Sequence, residues 1–178
     1  MANKDAAFGL KPSRMMGGGA YTGGQSRYRI ANNQSGAIFQ GDLVKQLTGG
    51  TVSRAAASST VPVVGVFNGC QFTDPTSKEV TFSNHYPGSV AAADIIAFVI
   101  DDPDVVFEVQ ADDTFPVADL FGNFDIVDQS TTGDTSSGRS NVELDVTTGA
   151  TTTTLPLKAI DISQDPDNSD VANANTNV

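Results

Sequence analysis

Residues 101–113 read DDPDVVFEVQADD, and this stretch carries the clearest strand pattern in the chain. Between its acidic ends, Val105, Phe107 and Val109 alternate with Val106, Glu108 and Gln110. A period of two is typical of a strand that buries one face. Residues 61–67 and 155–162 are apolar runs of strand length with β-branched content, and they are its expected partners before and after it in the sequence. We therefore expect a β-protein built around this central strand.

The rest of the sequence also favours short strands joined by turns. Trp is absent, and small polar residues and glycine are abundant. Turn signals recur about every eight to twelve residues from residue 28 onward, a spacing typical of all-β domains. We predict an all-β fold, a single β-barrel or β-sandwich domain, with an extended glycine-rich N-terminal arm.

Three segments divide the chain: the arm, residues 1–26; a β-rich body, residues 27–164; and a polar C-terminal tail, residues 165–178, which is expected to fray. Residues 15–24 read MMGGGAYTGG and hold five glycines, so this stretch is flexible or lies extended along another surface. The arm is expected to contribute little to a core. One interpretation is a disordered leader, and the other is an arm whose apolar residues dock on a neighbouring subunit.

Charge is unevenly distributed along the chain. The net charge is -11, but residues 1–54 hold seven basic and two acidic side chains, whereas the remainder holds three basic and nineteen acidic ones. An acidic body argues against nucleic acid as the main ligand, because it would repel phosphates. The basic first part is expected to meet an acidic protein surface or the protein's own acidic body.

A single cysteine, Cys70, permits no internal disulfide, which is typical of folding in a reducing cytoplasm. The N-terminus lacks the continuous apolar run of a signal peptide. The longest apolar run, residues 95–100, is far shorter than a membrane-spanning helix. We expect a soluble protein with no membrane partner.

Catalytic motifs are hard to find in the sequence. His85 is the only histidine and lies in a turn-like Asn-His-Tyr-Pro-Gly context, so we interpret it as a turn residue. Cys70 has no adjacent base and is expected to be a small buried hydrophobic residue. The glycine-rich stretch lacks the Lys and Ser or Thr of a phosphate-binding loop. We predict no catalytic residue, no cofactor and no small-molecule substrate, and we do not expect an enzyme.

Acidic clusters lie at residues 101–104 and 165–170, and we interpret them as solvated carboxylates, so no metal site is predicted. The second cluster departs from a calcium loop, because Asp170 stands at the turn-glycine position and Thr176 at that of the closing glutamate. A hydrolase with an aspartate-based site is a rival class, although Asp134 and Thr135 are followed by Ser136 rather than by the expected glycine.

Six segments of the sequence together point to a family: KDAAFGLKP (4–12), QGDLV (40–44), PVVGVFNGCQFTD (62–74), TFSNHYPG (81–88), DDPDVVFEVQAD (101–112) and TLPLKAIDISQDPDN (154–168). In this order they resemble small virion proteins of tailed bacteriophages, similar to capsid decoration or cement proteins of the head. Similar proteins continue into another apolar strand after the last segment, whereas this chain ends in NANTNV. The strand count is therefore left open.

The resemblance implies a virion structural protein that binds the outer surface of the capsid, cements neighbouring major capsid protein subunits, and is assembled in the host cytoplasm. Its expected partners are the major capsid protein and other copies of itself, with a trimer favoured and a dimer also suitable. The expected contact residues in the arm are Lys4, Phe8, Leu10, Lys11, Arg14, Met15 and Tyr21. The alternative is a carbohydrate- or receptor-binding β-module on the virion, although such modules usually present exposed aromatic side chains.

Overall fold

A computed structural model describes residues 3–58, 62–127, 133–151 and 154–178 of the chain. In these ranges the fold is all-β, with one short 3-10 helix at Val117–Asp119. The strands are β1 (Lys11–Met15), β2 (Ser26–Arg29), β3 (Ile38–Phe39), β4 (Leu43–Leu47), β5 (Thr51–Arg54), β6 (Val63–Thr73), β7 (Val80–Ser83), β8 (His85–Tyr86), β9 (Ile96–Ile100), β10 (Val105–Glu108), β11 (Asn123–Ile126), β12 (Gly133–Asp134), β13 (Arg139–Ser140), β14 (Leu144–Ala150) and β15 (Leu157–Lys158). The predicted all-β class is confirmed.

Five strands close into a barrel in the order β4-β5-β2-β9-β6, and β6 pairs back with β4. All of these pairs are antiparallel except β2 with β5, which is parallel. Side chains alternate along each strand, so that Val44, Phe67 and Val99 lie in the barrel interior with almost no exposure. β7 continues the sheet beyond β6, outside the closed ring.

β6 is the long strand that holds the barrel together, because it pairs with β4, β9 and β7. Residues 69–75 break the apolar pattern and predict an interruption there, but the strand runs on to Thr73. Gly69 makes this continuation possible: its φ of 132° lies in a region that glycine adopts readily, and the register with β9 shifts between Phe67 and Gly69. The predicted interruption is a β-bulge within one strand.

A second hydrophobic core lies beside the barrel, under the ribbon of β1 and β10 and the small sheet β14-β11-β15. Its centre is the pair Phe115 and Phe124, whose ring centroids are 5.3 Å apart in a tilted arrangement. Leu43 and Val66, on barrel strands, belong to the same cluster. The two cores are therefore joined through β4 and β6.

The central strand predicted at residues 101–113 forms only in part. β10 covers Val105–Glu108, and within the described ranges its partner is β1 rather than residues 61–67 or 155–162. Residues 63–67 are used by the barrel, and only Leu157–Lys158 of the later run is strand, paired with β11. The alternation itself is correct for Val105 and Val109, which are buried.

The extended arm at residues 1–26 is not confirmed. β1 lies inside this segment and pairs with β10, and Leu10 is only 3% exposed within the second core. Ser26, at the arm's predicted end, already belongs to a barrel strand. Because Leu10 fills space between apolar side chains, the segment contributes to a core after all.

The C-terminal tail, residues 165–178, is also packed rather than frayed. Thr176 and Asn177 are buried, and the backbone N–H and C=O of Val178 each pair with those of Val109 at 2.9 Å. Backbone pairing beside β10 explains how so polar a segment stays in place. The body predicted at residues 27–164 therefore incorporates both terminal segments.

Candidate interaction surface

The seven arm residues expected to form a contact surface do not share one exposed face. Leu10 lies in the core, and Phe8 and Met15 are half-buried. Tyr21 donates its hydroxyl hydrogen bond to the carbonyl of Gly24 at 2.9 Å, within its own loop. These four side chains are wholly or partly occupied by the chain itself.

The three cations of the arm are more accessible, but two of them face carboxylates of the same chain. The Lys11 ammonium lies 3.7 Å from Glu108, and the Arg14 guanidinium lies 3.4 Å from Asp161. Lys4 is exposed, and its backbone N–H donates to the side chain of Asn168. Of the two expected partners of the basic segment, an acidic protein surface and the protein's own acidic body, the structure shows contacts with the second.

Gln110 joins the N-terminal segment to the rest of the protein. It is 1% exposed, although the strand pattern placed it on the polar side. Its amide nitrogen donates to the carbonyl of Lys4 at 2.8 Å, and its amide oxygen accepts from the N–H of Ala6 at 2.9 Å. A buried amide with both ends bonded to backbone fixes the path of that backbone.

Asn3 ties the two ends of the described chain together in a similar way. Its side-chain amide donates to the carbonyls of Asp170 and Ala174 at 3.0 Å, and its side-chain oxygen accepts from the N–H of Asp170. This network uses short polar side chains in an irregular backbone, so periodicity in the sequence does not reveal it.

A cleft of about 910 Å³ separates the β1–β10 ribbon from the barrel. Its walls include the apolar side chains Leu10, Val66 and Phe107, and the ion pair of Arg14 and Asp161 lies along it. The described residues that line it include neither His nor Cys. Among the described residues, the cleft therefore offers apolar surface and carboxylates but no imidazole or thiol.

The outer face of the barrel sheet carries the more open surface. β7 is the last strand of its sheet, and Val80 and Phe82 project from it with 58% and 69% exposure. In register with Phe82 lie Gln71 on β6, Ile96 on β9 and Arg29 on β2. Paired residues in adjacent strands place their side chains on the same face, so these four form a row across the sheet.

Three further side chains extend this row by the period of two along each strand. We name the whole set the outer strip: Arg27, Arg29, Gln71, Val80, Phe82, Ile96 and Phe98. The guanidinium of Arg27 lies 5.7 Å from the ring centroid of Phe98, a cation–π distance. The strip is apolar at its β7 end and basic at its β2 end.

A second exposed apolar spot lies next to the 3-10 helix. Val117 and Phe121 are 59% and 70% exposed. Phe121 has a φ of 70°, an uncommon conformation for an aromatic residue, and its N–H donates to the carbonyl of Ala159 at 2.9 Å. The sequence predicts neither apolar spot, because each is a pair of side chains inside a short segment. Alternation in residues 80–83 is the available signal for the first spot.

The two residues considered for catalysis have structural surroundings. His85 is half-buried, and its ring stacks on Phe39 with centroids 5.6 Å apart. Cys70 is buried, as predicted, and its thiol lies 3.5 Å from the carbonyl oxygen of His85. Burial raises the pKa of the Cys70 thiol from 9.0 to about 12. A thiol with a raised pKa is a poor nucleophile at neutral pH.

The Cys70 thiol should make stability fall in alkali. Its folded-state pKa is raised, so its contribution is complete below pH 9.0 and is lost as the pH rises towards about 12. In that window the unfolded chain ionises first, which costs up to about 1.4 kcal/mol of unfolding free energy per pH unit. Urea unfolding from pH 8 to 11.5 is expected to show a shallower decline for Cys70→Ala. The raised pKa values of Tyr28 and Tyr86 lower stability in alkali equally in both proteins. If the unfolding free energy falls with pH at the same rate in both, the Cys70 thiol does not have a raised pKa.

The acidic clusters hold no metal-ligand geometry in the described ranges: groups of three or more His, Cys, Asp or Glu that could bind an ion do not occur there. For Asp134, the donated hydrogen bonds from the hydroxyl and N–H of Ser136 lower the pKa. An aspartate-based hydrolase needs one carboxyl group with a raised pKa, so this direction is opposite to the required one.

No protein-family model, no curated protein and no solved structure matches this chain.

Among the residues that the structure describes, no helix has the length and apolar character needed to cross a membrane.

Proposed function

We propose that the protein is a virion structural protein that binds the outer surface of a phage capsid and cements neighbouring major capsid protein subunits. The observation that carries this proposal is the outer strip, whose residues Val80 and Phe82 stand exposed on the last strand of the barrel sheet. The resemblance of six sequence segments to phage head proteins supplies the class of partner.

An exposed aromatic residue on a sheet edge is typical of a protein–protein contact. A free edge presents unpaired backbone N–H and C=O groups, and proteins usually protect such edges with charge, proline or a covering segment. β7 is short, with four residues, but its outward-facing side chains Val80 and Phe82 carry no charge, and no described segment covers them. An edge strand of this kind can accept a strand of the partner, and the apolar side chains then lose their contact with water.

The barrel gives this surface a rigid support. Gln71, Ile96 and Arg29 lie on three different barrel strands, each fixed by pairing on both sides. A rigid patch loses little conformational entropy on binding, so more of the contact free energy is retained. The basic end of the strip, Arg27 and Arg29, favours an acidic partner surface and a binding constant that falls as salt rises.

Phe82→Ser should weaken binding to phage heads that lack this protein by about tenfold to a hundredfold, because burial of a Phe side chain contributes about 1.5–3 kcal/mol. The measurement is co-sedimentation with such heads at low and high salt. Phe121→Ser is the matched control, since Phe121 is 70% exposed at the other apolar spot.

Failure of the unaltered protein to bind heads would refute the capsid proposal. If Phe82→Ser binds heads as tightly as the unaltered protein, the outer strip is not the capsid-binding surface. If only Phe121→Ser loses binding to heads, the second apolar spot is that surface. Binding to host glycans but not to heads would favour a receptor-binding module.

A further inference from the structure

The N-terminal segment, residues 3–15, is attached to the body as a separate docked unit. β1 pairs with β10 from Lys11 opposite Glu108 to Met15 opposite Val105. Leu10 enters the second core, and Gln110 holds the backbone of Lys4 and Ala6. All these contacts are made to residues far away in sequence, so nothing in the docking site requires the segment to come from the same chain.

The connection from this segment to the barrel is uncrowded at its glycines. At Gly17, Gly18, Gly19, Gly23 and Gly24 a Cβ atom would meet no atom within 4 Å. In the described residues the loop bonds to itself and back to β1: the N–H of Gly18 donates to the carbonyl of Met15, and the N–H of Met15 donates to the carbonyl of Gly19. At its far end the side-chain oxygen of Gln25 accepts a hydrogen bond from Asn68 of β6 at 2.9 Å. The loop is therefore a glycine-rich hinge between a docked segment and a rigid barrel.

We propose that residues 3–15 exchange between copies of this chain, so that β1 of one copy pairs with β10 of a neighbour. The exchanged and unexchanged forms contain the same β1–β10 pairing, the same Leu10 burial and the same Gln110 bonds. Their difference in free energy is then set by the hinge and by the concentration of copies, the usual condition for segment exchange.

The hinge has the length and the composition that exchange requires. Residues 17–25, when extended, span about 30 Å at ~3.3 Å per residue, comparable with the width of a small domain. A glycine-rich chain also has little preference for one direction. Attachment within one chain corresponds to an effective concentration on the order of millimolar, so exchange becomes prominent when copies are held side by side or refolded together at high concentration.

The test is a cross-link that only exchange can form in high yield, and it uses the chain alone without any capsid. Lys11 and Glu108 are register partners with side chains on one face, 3.7 Å apart at their charged atoms. One protein carries Lys11→Cys and a second carries Glu108→Cys. The two are unfolded together, refolded at high concentration and then oxidised, while the native Cys70 is protected by burial.

We expect a disulfide-linked dimer of the two variants, with a yield that rises with the concentration during refolding. A mixture of Lys11→Cys and Thr48→Cys measures random collisions, because Thr48 lies exposed in the turn after β4. The single chain Lys11→Cys/Glu108→Cys measures docking within one copy and should form an internal disulfide on refolding at low concentration.

Two results would overturn the proposal. The first is an internal disulfide in the double variant together with no more mixed dimer than the Thr48 control gives. The second is failure of the double variant to close its disulfide, because docking of β1 on β10 within one copy is the premise of exchange. Neither result depends on whether the protein binds capsids.

Discussion

Gly65→Ala is expected to destabilise the protein by about 3 kcal/mol or more, because it forces apart two strands of the closed barrel. Gly65 lies in β6 opposite Val44. A Cβ atom there would collide with the carbonyl oxygen of Ile100 and would lie 2.9 Å from both the Ile100 carbonyl carbon and a methyl group of Val99. These are backbone and buried atoms that cannot swing away, so the β6–β9 pairing must shift.

Chemical denaturation of the variant measures this effect directly. Gly19→Ala is the matched control, because the same added methyl group would meet no atom within 4 Å in the hinge loop and the residue does not have a positive φ. The control should stay within about 0.5 kcal/mol of the unaltered protein. Equal stability of the two variants would show that β6 and β9 are not in close contact at this point.

Gln110→Ala is expected to cost about 2–4 kcal/mol, the second largest effect. The substitution removes a side chain that is 1% exposed and leaves the carbonyl of Lys4 and the N–H of Ala6 without their partner. Each of these part-buried hydrogen bonds contributes about 0.5–1.5 kcal/mol, and the cavity left by the removed side chain adds to the loss. The loss should also free residues 3–6, which hydrogen exchange at the Ala6 amide would detect as faster exchange.

Gln46→Ala is the control for this change, because Gln46 is an exposed residue in β4. We expect its unfolding free energy to remain within about 0.5 kcal/mol of the parent value. A loss below about 1 kcal/mol in Gln110→Ala, with unchanged exchange at Ala6, would mean that the N-terminal segment is held mainly by Leu10 and by β1.

The sequence is sufficient for the fold class and for several strands. Leu43–Leu47 has strand composition between two turn signals and is β4. The run ending at Ile100 is β9, although the alanines at 91–93 favour a helix, so for this segment the sequence left both possibilities open. Cys70 was predicted to be buried, and it is. These features are local: they depend on period-two alternation and turn residues within a few positions.

Strand partners could not be predicted from the sequence in the same way. Alternation in β10 predicts which of its side chains face inward, but it does not predict which strand pairs with it. Length and composition alone favour residues 61–67 and 155–162 as its partners. The observed partner, β1, contains Pro12 and two cations, so its composition is that of a polar segment. Pairing over long separations depends on the packing of the whole domain.

The candidate site was missed for a related reason. The exposed residues Phe82 and Arg29 have no proximity in sequence, and only the order β2-β9-β6-β7 brings them to one face. Conversely, the sequence predicts Leu10 to be a contact residue for another protein, because it lies just before a glycine-rich stretch. A glycine-rich stretch predicts that the loop itself is flexible, but it does not predict whether the segment before the loop is free or packed in a core.

The order in which the barrel closes limits how this protein can fold during its synthesis. β2 is synthesised early, yet its residue Ser26 pairs with Val99 of β9, which is synthesised much later. In the same way, the backbone N–H of Ala6 cannot form its hydrogen bond until Gln110 has been synthesised. Val109 then pairs with Val178. A nascent chain on the ribosome would therefore hold β2, β5, β4 and β6 with the barrel open between β2 and β6 until β9 appears, and would fold late and slowly, as is general for domains made of non-local contacts.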